Sequence, residues 1–213
     1  MTLAFAVLGD SIAYGQGAAR PADTLGARLT AVLTRDGHAV DLRVHAVPGA
    51  DSRGLAAQVA RAVVRAPDLA LIVIGANDLT HLVPPRQAGT LLGDAVRRLR
   101  EAGAEVVLAP APDLSVVPWV PPQMRMLVST GSRALRQEQT RAAAAAGARI
   151  ADIDAVTSSA FAADPALFSA DRFHPSSAGY AVIADALAPT VRDTVTGRGS
   201  RGPSPARPGR PGR

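Results

Sequence analysis

The 213-residue chain has no cysteine and no lysine. The first absence excludes disulfides and thiolate-held metals, and it leaves the redox compartment open because cysteine-free proteins occur in all of them. The second makes every basic side chain other than histidine an arginine; together with abundant alanine this reads as a compositional bias without mechanistic weight. Long apolar runs are also missing. The N-terminal run Leu3 to Leu8 is too short for a signal-peptide core or a membrane span, and no positively charged stretch precedes it. The chain is therefore expected to lack a membrane span and to be cytoplasmic.

Hydrophobic residues make up 47% of the chain and charged residues 19%, the balance of a protein with a packed core, and the length suits one domain. The formal charge of +5 would suggest an anionic partner if it were spread over the surface, but it is concentrated at one end. Five of the 23 arginines, Arg198, Arg201, Arg207, Arg210 and Arg213, lie in residues 196–213 without an acid among them, and the remainder is neutral with 18 arginines against 18 acids. Glycine, proline and serine fill that tail, no apolar periodicity remains, and no aromatic is available for stacking on bases. The expectation is a folded domain over residues 1–195, a disordered basic tail over 196–213, and no required nucleic acid.

Strand-like apolar runs occur at residues 3–8, 40–47, 69–74, 105–109 and 149–153, and helical stretches at 23–35, 52–64, 90–102, 123–146 and 176–195. Continuously apolar strands alternating with helices call for a parallel sheet covered on both faces. The predicted fold is a three-layer α/β/α sandwich around a five-stranded parallel sheet. Residues 110–122 hold five prolines and the only tryptophan, Trp119, which suggests an irregular, substrate-facing loop.

In such a sheet, ligands bind beyond the carboxyl ends of the strands, so the residues leaving each strand carry the functional reading. The first run exits into Gly9-Asp10-Ser11, the second into Pro48-Gly49-Ala50 and the third into Gly75-Ala76-Asn77-Asp78; the chain after the fifth leads to Asp171-Arg172-Phe173-His174-Pro175. This is the inventory of acyl transfer. A serine hydroxyl needs a neighbouring base to take its proton, which makes Ser11 the candidate nucleophile and His174 the candidate base. A carboxylate three residues away, Asp171, is suited to hold the imidazole in the right tautomer. The negative charge of a tetrahedral intermediate requires preorganised donors, for which the backbone N–H groups of Ser11 and Gly49 and the side-chain amide of Asn77 are candidates, Gly49 because a missing Cβ permits close approach.

These blocks, in this order, resemble the SGNH/GDSL hydrolases: Gly-Asp-Ser at the N-terminus, a glycine after the second strand, Gly-x-Asn-Asp after the third and Asp-x-x-His near the C-terminus. They span Gly9 to His174, with one aliphatic departure, Ile12 where the family motif has leucine. The resemblance implies a flavodoxin-like sheet, hydrolysis of carboxylic or thio esters by the residues named above, a small-molecule ester as partner, and no metal or cofactor. A Gly-x-Ser-x-Gly elbow is absent, which disfavours the larger α/β-hydrolase family.

Each block also has a plain alternative: Asp10 or Ser11 as a helix cap, Asp171 and His174 as a surface turn stopped by Pro175, Asp78 as a turn former satisfying local amides. His81 and Trp119 are candidate substrate contacts, with solvation of the first and cover of a core edge by the second as the alternatives. The same chemistry would serve an acyltransferase or carbohydrate deacetylase, and the fold alone would serve a ligand-binding module without turnover. Short connections suggest a shallow site and small acyl groups. Oligomeric state is open.

Overall fold

The first, third and fourth apolar runs form the buried middle of one sheet, and the second and fifth are its largely exposed edge strands. In the computed structural model, which describes residues 2–199, the strands are β1 (Thr2–Gly9), β2 (Ala39–Val44), β3 (Leu69–Val73), β4 (Glu105–Ala109) and β5 (Arg149–Ile150). All pairings are parallel, in the order β2-β1-β3-β4-β5. The second strand thus lies on one side of β1 and the third on the other. That reversal opens a crevice beyond the ends of β1 and β3, where the register pairs Gly9 with Val73.

The helices are α1 (Ser11–Tyr14), α2 (Leu25–Arg35), α3 (Leu55–Ala62), α4 (Ala76–Thr80), α5 (Pro85–Glu101), α6 (Arg125–Ala145), α7 (Asp154–Ala163) and α8 (Ser177–Gly199). Alternate residues of β1 feed opposite layers. Phe5 and Val7 pack with Leu25, Leu29, Tyr180 and Leu187 of α2 and α8, whereas Ala6 and Leu8 pack with Leu55, Val59, Leu92 and Val96 of α3 and α5. These side chains are essentially fully buried, and removing one such leucine typically costs about 2–5 kcal/mol through lost contacts and the cavity left behind.

The predicted architecture is the observed one, with local differences. Helix α5 begins at Pro85, five residues before the expected start, since a proline at the first helical position sacrifices no hydrogen bond. The expected fifth strand stops at Ile150, and α7 follows directly; its one-sided burial of Thr157 and Phe161 leaves little apolar periodicity to read. Helix α8 runs on through Gly199, past the expected boundary at residue 195; the rest of the tail lies outside the described residues. Among the described residues no helix is long and apolar enough to cross a membrane.

Strand β1 ends on a close backbone approach. Gly9 has φ +138°, and a Cβ there would lie 1.7 Å from the carbonyl oxygen of Val73. Two buried glutamines then bond to backbone groups at and just beyond the strand ends. Gln58 of α3 accepts from Gly9 N–H (2.7 Å) and donates to Gly9 C=O (2.8 Å). Gln139 of α6 accepts from Ala111 N–H (2.8 Å) and donates to Ile74 C=O (3.0 Å). The loops leaving β1, β3 and β4 are thereby held at the crevice.

Candidate active site

Asp10 caps the four-residue helix α1 by accepting from Ile12 N–H (2.9 Å), which sets Ser11 at the first helical position immediately beyond β1. His174 arrives from 163 residues away in sequence, and Ser11 Oγ lies 2.9 Å from its Nε2. Its Nδ1 lies 2.6 Å from Asp171 Oδ2. An ionised carboxylate can only accept, so the proton between them sits on Nδ1, and Nε2 is free to accept from the Ser11 hydroxyl. The three residues form one unbroken hydrogen-bonded line.

The segment carrying Asp171 and His174 is a tight turn, with Arg172 at φ +59° and a bridge between Phe168 and Pro175 closing its base. Asp171 Oδ1 accepts from the N–H groups of Phe173 and His174 (both 2.9 Å) and from the Ser169 hydroxyl (2.8 Å), so one carboxylate orients both the ring and its backbone. Partial burial alone would raise this carboxyl, but the ring of His174 and these donors hold it well below the usual carboxylate range. Ser169 is a contributor that sequence reasoning missed; its position two residues before Asp171 carries no motif signal.

Gly49 comes from the loop after β2, and Asn77 from the first turn of the short helix α4 beyond β3. Asn77 Nδ2 donates to Ala50 C=O (3.0 Å), which fixes its carboxamide beside the Gly49 loop and leaves a second N–H on the same nitrogen. Gly49 has φ +80°, a left-handed conformation that L side chains rarely adopt, and no protein atom beyond its chain neighbours lies within 4 Å of where its Cβ would stand.

Asp78 also differs from a local turn former. It is fully buried and accepts from Ser52, from its N–H at 3.1 and 3.2 Å to the two carboxylate oxygens and from its hydroxyl at 3.0 Å. Burial raises its carboxyl against the lowering effect of these donors. His81 is not merely solvated: its Nδ1 lies 2.9 Å from Asp51 Oδ2, a carboxylate held low first by Arg53 and then by His81 itself. Trp119 is 55% exposed and stacks at 5.4 Å on Phe173, whose ring meets His174 edge-on at 4.9 Å. The structure thus links Trp119 to the histidine through one aromatic contact, and places His81 on the Gly49 side.

Ser11 and His174 are largely buried, 5% and 9% exposed. Beside them lies a mainly apolar pocket with about 80 Å³ of free space, lined by Ile12, Val117, Phe161, Phe168 and Phe173 among others, with the Arg136–Asp154 ion pair also on its wall.

A family model described as the GDSL-like lipase/acylhydrolase family matches residues 7–182. The chain belongs to that family. Among GDSL-like relatives, the GDSL-like esterase Rv1075c of Mycobacterium tuberculosis is 39% identical over 194 residues, covering 89% of this chain and 62% of that protein, so the chain spans about three fifths of its length. The crystal structure of TesA superposes with a TM-score of 0.74 at 21% identity, covering 90% of this chain and 99% of that one. A catalytic mutant of Axe2, an acetylxylan esterase from Geobacillus stearothermophilus, does so with a TM-score of 0.68 at 19% identity, covering 90% and 95%. At those identities the structural likenesses establish the GDSL-like fold.

One charge beside the nucleophile has a measurable consequence. Burial pushes the Asp10 carboxyl up from 3.8 to about 7, against the backbone N–H groups of Ile12, Ala13 and Gly75. Between about pH 4 and 7 the native protein then keeps a proton that the unfolded chain has released, so this group makes native stability fall as pH rises through that window. Asp10→Asn lacks this dependence and is expected to gain stability relative to the parent as pH rises, by up to about 4 kcal/mol across the window. Melting curves from pH 4.5 to 8 test it; a stability difference independent of pH would contradict the shift.

Proposed function

We propose that the chain hydrolyses carboxylic or thio esters of small acyl groups through an acyl-serine intermediate. The observation that carries this reading is the line Ser11–His174–Asp171, joined at 2.9 and 2.6 Å. Ser11 Oγ attacks the ester carbonyl while His174 Nε2 takes its proton. The oxyanion is met by the N–H groups of Ser11 and Gly49 and the free N–H of Asn77, and the imidazolium that forms is stabilised by Asp171. His174 then returns the proton to the departing alkoxide or thiolate. Water, deprotonated by the same imidazole, attacks the acyl-serine; collapse of that second intermediate releases the acid and reprotonates Ser11.

The acyl group is assigned to the pocket beside Ile12 and Phe173, and Trp119 and His81 to the walls on either side of the entry. About 80 Å³ is space for several waters, and so for a chain of a few carbons. The description of the mycobacterial relative as an esterase supports the reaction class.

A panel of p-nitrophenyl esters from acetyl to long acyl chains tests the proposal, together with mass-spectrometric mapping of the residue modified by a p-nitrophenyl phosphonate. Expected are highest kcat/KM for the short chains and a phosphonyl adduct on Ser11. A best substrate with a long chain would overturn the acyl-size assignment, and a fully active enzyme with unmodified Ser11 would overturn the mechanism.

A further inference from the structure

Two of the proposed oxyanion donors, the Gly49 N–H and the Asn77 amide, leave β2 and β3, which are not neighbours: β1 lies between them. Strands two places apart are separated by roughly 10 Å, and no ladder hydrogen bond joins them. The sheet therefore does not by itself set the spacing of these donors, yet an oxyanion requires them together on one oxygen. Some other contact must bring the loops into register.

The described residues contain that contact. Asp78, directly after Asn77, reaches across to Ser52, three residues after Gly49, and accepts its N–H and its hydroxyl. Asp78 is 0% and Ser52 1% exposed, so water does not compete for the bonds. Two further ties lie near it: Asn77 to Ala50 C=O, and the more exposed His81–Asp51 pair. The two segments are thus tied by three side-chain contacts, and the one through the Asp78 carboxylate is the most buried.

We infer that Asp78 and Ser52 are positioning residues of this enzyme, which hold the Gly49 N–H and the Asn77 amide at the separation one tetrahedral oxyanion needs. The inference rests on the esterase reading above and adds to it a residue pair that touches neither substrate nor reacting atoms. A carboxylate is suited to this because it accepts two donors at once in a fixed plane. Serine is suited because its hydroxyl and its own N–H converge on that carboxylate, which restrains the loop backbone as well as a side chain.

The test compares Asp78→Asn, Ser52→Ala and the double variant with the wild type on a short-chain p-nitrophenyl ester, after counting active sites by the p-nitrophenol released stoichiometrically by a p-nitrophenyl phosphonate. Displacing donors by a fraction of an ångström weakens the transition state and spares substrate binding. Asp78→Asn is expected to lower kcat per titrated site by about tenfold to a hundredfold with KM changed by less than about twofold. Ser52→Ala, a small change that keeps the Ser52 N–H bond, should fall in the same direction by less. The double variant should be no worse than Asp78→Asn, because both remove one strap. A purely structural role would lower the titrated fraction while leaving kcat per site unchanged, and that result, in Ser52→Ala as well as Asp78→Asn, would overturn the inference. Wild-type hydrolysis that persists in Ser11→Ala would instead overturn the esterase reading itself, and this inference with it.

Discussion

Ser11→Ala is expected to reduce kcat on short-chain esters by on the order of 10⁶-fold, the loss seen when the nucleophile of a serine hydrolase is removed while its other groups remain. The substitution should be structurally mild. Ser11 is almost buried, its Oγ has His174 Nε2 as a partner at 2.9 Å, and the Asp10 cap that forms α1 acts through backbone and is untouched. A melting temperature close to that of the parent is therefore expected alongside the lost turnover. Residual hydrolysis of roughly 10³-fold over water would still arise from the oxyanion donors and binding. Turnover within tenfold of the parent would eliminate Ser11 as nucleophile, and with it the mechanism.

Asp171→Asn should cost about 10⁴-fold in kcat with KM little changed. Asparagine is nearly isosteric, but its amide can turn a donor toward His174 Nδ1. The imidazole then carries its proton on Nε2, where it cannot accept from Ser11. The present carboxylate makes the opposite tautomer obligatory and is itself secured by the Ser169 hydroxyl and the N–H groups of Phe173 and His174. Its carboxyl is held low, so its charge, and whatever stability it contributes, is present above the usual carboxylate value and is lost only as pH falls well below it. The activity profile above pH 5 should contain no step from this group. Steady-state kinetics of Asp171→Asn over pH 5 to 9 would check both points; a variant within tenfold of the parent throughout would mean that Asp171 does not orient the base.

The candidate site was legible in the sequence to an unusual depth because its chemistry demands rare residue types at strand ends. Gly9-Asp10-Ser11 and Asn77-Asp78 follow the apolar runs that became β1 and β3, so their place at the crevice follows from the alternation of strands and helices alone. Asp171 and His174 are close in sequence and are held by one local turn. Pairings between distant residues were less accessible. Gln58 and Gln139 lie in helices and read as ordinary polar positions, yet each satisfies loop backbone 28 to 65 residues away. Asp78 is adjacent to a motif residue and reads as a local turn former, because nothing in its neighbourhood points to Ser52. The glycine at position 49 is visible in the sequence, but the positive φ that also favours it is not.

By itself the sequence determined the sheet, its coverage on both faces and the residue types offered at its carboxyl edge, since hydrophobic periodicity and strand-end composition are local properties of the chain. Tertiary structure alone decided the distance at which Ser11 meets His174, that Trp119 leans on Phe173 beside that histidine, and that Asp78 ties two segments whose strands do not touch. Those contacts depend on the strand order, which places β1 between β2 and β3, and on buried polar groups that must find partners wherever the packed helices bring them.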